Sequence, residues 1–112
     1  MAHINLNRNL VLEAAQRVPD GAGGFSETWV QLGTMWAEVK ARTGRKILGE
    51  GVSLSNTGYR ITVRAAEFGA PSRPAPEQRF RDGTRIFRIL SVAEQDCDGR
   101  FLTCFADEEV AV

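Results

Sequence analysis

The sequence is short of the groups on which most enzyme chemistry depends. Its 112 residues include one histidine, His3, and two cysteines, Cys97 and Cys104. With the lone histidine beside the N-terminus, neither histidine acid–base catalysis nor a Ser-His-Asp arrangement has a residue to use. Carboxylate pairs such as Asp96 with Asp98, or Asp107 with Glu108, fall on an expected turn and near the C-terminus, where acids are ordinarily solvated. The cysteines lack CxxC spacing and a nearby histidine, which argues against zinc; on either side of Asp98-Gly99 they read as free buried thiols, with a cross-hairpin disulfide as the alternative. Neither GxxxxGK[ST] nor GxGxxG occurs, so no nucleotide motif and no cofactor are expected. No apolar run approaches the roughly 20 residues of a membrane helix, which points to assembly in the cytoplasm without membrane contact. Excess charge of one sign is also missing: 14 Lys and Arg balance 14 Asp and Glu, so any contact with DNA must be local. The chain reads as a non-enzyme.

What is present is the composition of a single globular domain over residues 1–112, 43% hydrophobic and 25% charged. Residues 1–9 read as a flexible arm. From residue 10 to 17, Leu10, Leu12 and Ala14 alternate with Val11, Glu13 and Ala15 in the manner of a half-buried strand. Pro19-Asp20-Gly21 and Gly23-Gly24 then reverse the chain. Residues 25–32 and 35–41 predict one long strand bent at Gly33, with Trp29 and Trp36 as core anchors. Tyr59, Ile61, Val63 and Ala65 alternate with Arg60, Thr62 and Arg64, the clearest strand in the chain. Pro71, Pro74 and Pro76 enforce an irregular connection. A hairpin turning at Asp82-Gly83 follows, with Phe80, Phe87 and Ile89 as core candidates, and then a last one turning at residues 96–99. The fold class is therefore mainly β: a small antiparallel β-barrel of about six strands, with a long loop between the second and third.

That loop, residues 41–58, is the strongest local pointer to function, because a long connection in a small domain is uncommon unless it is used. Lys40, Arg42, Arg45 and Lys46 form the one basic cluster, placed where a phosphate backbone can approach. Ile47, Leu48, Val52 and Leu54 are apolar residues that a solvent loop would not need, and a short helix around residues 45–49 is an option on assembly.

Several stretches, in order, resemble the phage head-tail joining family of head-completion or stopper proteins. They are Gly23-Gly24-Phe25-Ser26-Glu27-Thr28-Trp29, Thr34-Met35-Trp36-Ala37-Glu38-Val39, Thr43-Gly44-Arg45, Tyr59-Arg60-Ile61-Thr62-Val63-Arg64, and Phe80-Arg81-Asp82-Gly83-Thr84-Arg85-Ile86-Phe87-Arg88-Ile89. The resemblance covers residues 10–106 and extends to the version carried by α-proteobacterial gene transfer agents. It implies a homo-oligomeric ring below the portal and its adaptor protein, built into a phage-like particle. In that setting Lys40, Arg42, Arg45 and Lys46 lie near double-stranded DNA in the channel, Ile47, Leu48, Val52 and Leu54 gate it between subunits, and a tail-side completion or terminator protein docks on the ring. The Pro71 to Pro76 connection departs from the family's plainer loop. The alternative reading of the residues is a small β-barrel nucleic-acid-binding module.

Overall fold

In the computed structural model, which describes residues 4–42, 47–48, 52–53, 58–66, 70–95 and 99–109, the alternating stretches of the sequence become strands. They are β1 (Arg8–Pro19), β2 (Phe25–Arg42), β3 (Ile47–Leu48), β4 (Val52–Ser53), β5 (Gly58–Arg64), β6 (Arg79–Asp82), β7 (Arg85–Glu94) and β8 (Phe101–Glu109). Six of them close into an antiparallel barrel in the order β1-β2-β5-β8-β7-β6, and β3 pairs only with β4, inside the β2–β5 connection. Closure comes from β6 meeting β1, with Val11 opposite Arg81 and Glu13 opposite Arg79.

The inward face follows the period of two. Leu10 and Leu12 from β1, Ile61 and Val63 from β5, Phe80 from β6, Phe87 and Ile89 from β7, and Leu102, Cys104 and Ala106 from β8 are buried together with Ala37. Each of the larger side chains contributes about 1.5–3 kcal/mol by leaving water. Cys104 is a free thiol, and burial pushes its pKa up to about 12, which closes thiolate chemistry to it. Cys97 lies outside the described residues.

Both tryptophans depart from the expected core positions. Trp36 is 57% exposed and Trp29 is half-buried on the outside. They are seven residues apart, so an unbroken strand would set them on opposite faces. The register of β1 and β2 shifts between Leu12 and Glu13, whose partners are Gly33 and Gln31, leaving Leu32 as an extra residue. This bulge inverts the alternation and turns both indoles outward. The bend expected at Gly33 is thus a bulge beside it.

Two further expectations change. Residues 4–9 are docked rather than loose: the Asn5 amide donates to the Glu38 carboxylate at 2.8 Å, the Asn7 amide to the Ala37 carbonyl at 3.1 Å, and Arg8 and Asn9 already belong to β1. In the β6–β7 hairpin Asp82 pairs with Arg85, so the turn residues are Gly83 and Thr84, not Asp82 and Gly83. Gly83 alone of the two has positive φ, 61°, the pattern of a II′ rather than a I′ turn. The proline-rich connection crosses one end of the barrel and buries Pro74; Arg73 donates to the Ala66 carbonyl at 2.7 Å and reaches Glu94 on β7.

β2 is the longest element and sets the layout. It pairs with β5 only over 37–42, and β1 pairs with β6 only over 11–13. Beyond those rungs, residues 14–19 and 25–31 form a two-stranded ribbon that leaves one end of the barrel. The β2–β5 connection leaves the other. The root of the ribbon is fixed from outside: Glu13, only 5% exposed, accepts from Nε of Arg79 at 2.8 Å and faces Arg81 at 3.5 Å, while the Arg79 guanidinium lies 3.9 Å over the Trp29 ring.

Candidate interaction surfaces

Where β2 ends, Arg42 stands opposite Gly58 as the last rung of the barrel wall before residues 43–57. Lys40 and Arg42 point outward and are exposed. Lys40 faces Arg60 directly across the β2–β5 register, and Arg60 faces Phe105 across β5–β8. Directly opposed like charges are destabilising. Part of that repulsion is relieved by Phe105, whose ring takes the Arg42 guanidinium at 5.1 Å and that of Arg60 at 5.7 Å. A Cβ at Gly58 would come within 3.0 Å of an Arg42 guanidinium nitrogen, so the bare glycine leaves that side chain room to lie back over the ring. Lys40 reaches Glu38 at 3.7 Å, whereas no carboxylate among the described residues pairs with Arg42 or Arg60. Beside this row is an open hollow of about 300 Å³ bounded by Ile4, Lys40, Arg60, Thr62, Gln95 and Phe105. Glu38 and Glu94 also line it, so its charge is mixed.

Inside the same end, three polar side chains plug the barrel mouth. Arg85 donates from Nε to one oxygen of Glu108 at 2.8 Å and from Nη2 to the other at 3.2 Å. The Tyr59 hydroxyl donates to Glu108 and accepts from Arg85, both at 3.2 Å. The Tyr59 ring meets Phe87 edge-on with centroids 5.0 Å apart. Hydrogen bonding from Arg85 holds the Glu108 carboxyl below its ordinary pKa, and the same bond raises that of Arg85, with burial opposing both. Two parallel charge-assisted bonds plus a packed ring stiffen this end of the barrel. The sequence reading had Glu108 solvated beside Asp107; the register of β8 turns it inward instead.

In the connection itself the structure aligns Leu48 with Val52 and Ile47 with Ser53. Ile47, Leu48 and Val52 thus come together in one small ladder, and Ile47–Leu48 is strand in the single chain. Arg45, Lys46 and Leu54 lie outside the described residues. Arg60 and Phe105 are the participants the sequence reading missed. The alternation over 59–64 already pointed Arg60 outward, but only the register across the connection sets it against Lys40.

A family model for the phage head completion protein matches residues 1–109. The chain belongs to the phage head completion protein family. A chain in the virion of a native gene transfer agent particle is 55% identical to this chain, over 98% of this chain and 100% of that one, with a TM-score of 0.80. The solution structure of protein SF1141 from Shigella flexneri 2a matches over 100% of both chains with a TM-score of 0.66 at 18% identity, a likeness of fold alone. No curated protein matches in sequence.

Proposed function

We propose that this head completion protein is a connector subunit that forms a ring below the portal and its adaptor, helps hold packaged double-stranded DNA, and docks the tail-side completion protein. Its work is structural rather than catalytic. The observation that carries the reading is the family match along nearly the whole chain, joined to 55% identity with a chain of a gene transfer agent virion. The geometry is compatible with it: a rigid mouth carries a connection in which Ile47, Leu48 and Val52 are brought together, with the exposed cations Lys40 and Arg42 at its root. In a ring, copies of Ile47, Leu48, Val52 and Leu54 would pack across the channel as a collective gate, with Arg45 and Lys46 beside the DNA.

The row of Lys40, Arg42 and Arg60 favours a second reading, a module that binds free nucleic acid. The Arg42 and Arg60 guanidiniums lie 5.1 and 5.7 Å from the Phe105 centroid, however, where they compete with a stacked base for the ring, and the row suits passing contact with phosphates. A binder would hold free DNA with an affinity falling steeply with salt, and a connector would show little affinity as a single chain. The deciding experiment replaces residues 45–54 with a glycine-serine linker and measures DNA retention and tail attachment in purified particles. Loss of either with a normally folded barrel supports the gate; normal values for both would reassign the loop as a dispensable segment.

A further inference from the structure

We infer that the ribbon of residues 14–19 and 25–31 joins successive copies of this chain side by side, the β2 edge of one copy against the β1 edge of the next. The inference rests on the ring reading above and assigns the ring a joint.

The ribbon is not self-sufficient. Among the described residues, β1 beyond Glu13 pairs with β2 alone, and β2 before Ala37 pairs with β1 alone. An isolated two-stranded hairpin is marginally stable in water. This one also carries Phe25 at 65% exposure and Val18 and Val30 at 40%. Edges unpaired among the described residues are templates for strand addition; Pro19 ends the β1 edge, and the charges the two edges carry, Arg17 on β1 and Glu27 on β2, are opposite in sign. Its root is nonetheless held firmly by Glu13, Arg79 and Trp29, so the ribbon is presented in one position.

The two edges identify the partner. One is β1, the other is β2, and the strands run in opposite directions. Copies standing side by side in the same orientation therefore bring β2 of one against an antiparallel β1 of the next, and the ladder continues through every copy. Each copy gives one edge and receives the other, which is a heterologous contact of the kind that closes into a ring. A two-fold pair would use one edge twice and leave the other open.

Charge agrees with this arrangement. Arg17 and Glu27 are directly opposed on the outer face, both are exposed, and neither forms an ion pair among the described residues. Arg17 instead leans over Phe25, 5.8 Å from its centroid. At equal height, Glu27 on the β2 edge of one copy meets Arg17 on the β1 edge of its neighbour, giving an alternating row around the ring.

The test supplies particles lacking this protein with R17E, with E27R, or with both variants as separate chains. Alone, each puts like charges at every joint, and incorporation falls by about fivefold or more. Together, alternating copies again oppose Glu to Arg at every joint, or at all but one if the ring order is odd, although each ribbon keeps like charges within itself. Restored incorporation on mixing therefore reports the contact between copies and not the folding of the ribbon. If wild-type rings are seen by electron microscopy and the single variants enter them as wild type does, or if mixing rescues nothing, the joint is wrong while the ring stands. If the wild-type protein forms no closed ring in particles, the ring reading itself falls.

Discussion

Phe87 and Trp36 are both large aromatics in strands, yet they do opposite things. Phe87 is fully buried and touches Tyr59, while Trp36 lies mostly in solvent. Phe87→Ala should cost about 3–5 kcal/mol, read as a lowered urea midpoint, whereas the exposed Arg64→Ala should stay within about 0.5 kcal/mol. Equal losses would mean the faces of β5 and β7 are inverted. Glu108 carries a pH signature. Its folded pKa lies below the ordinary 4.5, so the stability it contributes is complete above that value and is lost as pH falls through the lower, folded one. Glu108→Gln should lower stability at neutral pH and flatten the decline below about pH 4.5, measured as urea midpoints across pH; an unchanged acid slope would show that the Arg85 pair adds nothing. At this scale the inward residues of β1, β5, β6 and β7 were legible from alternation. The tryptophans were not, because apolar residues occupy both faces of β2 and one extra residue at position 32 inverts half of it. Glu108 was not legible either, since its orientation depends on β8 continuing to residue 109.

Strands were easier to read than the contacts between them. Each hairpin has turn residues at its tip, but nothing local sets the register of β5 on β2 across residues 43–57, and the Lys40, Arg60 and Phe105 row depends on that register. The proline-rich connection reads as irregular in sequence, while its place across the barrel end is set by distant partners such as Glu94. The ribbon adds no residue to the buried core. Replacing residues 16–28 with Asn-Gly, which joins the opposed Ala15 and Trp29 through a two-residue turn, should therefore leave a cooperatively melting β protein by circular dichroism. A collapse of the transition would make the ribbon part of the folding unit.

At the scale of the whole molecule, net charge is zero and the barrel has a complete core, so one chain can stand alone. In dilute solution, light scattering should give the mass of one chain, because a single edge contact is too weak to hold two copies; a tight dimer would show that some large apolar surface pairs without the particle. What the layout implies for a loaded particle is mechanical. β2 is one strand of 18 residues, bulged at Leu32 and about 60 Å if extended, with the ribbon at its first end and the β2–β5 connection at its last. In the proposed ring, a thrust from DNA on that connection, resisted at the ribbon, would run along this strand. It loads the ladders to β1 and β5 in shear, where many hydrogen bonds yield together, rather than by peeling, where they yield one at a time.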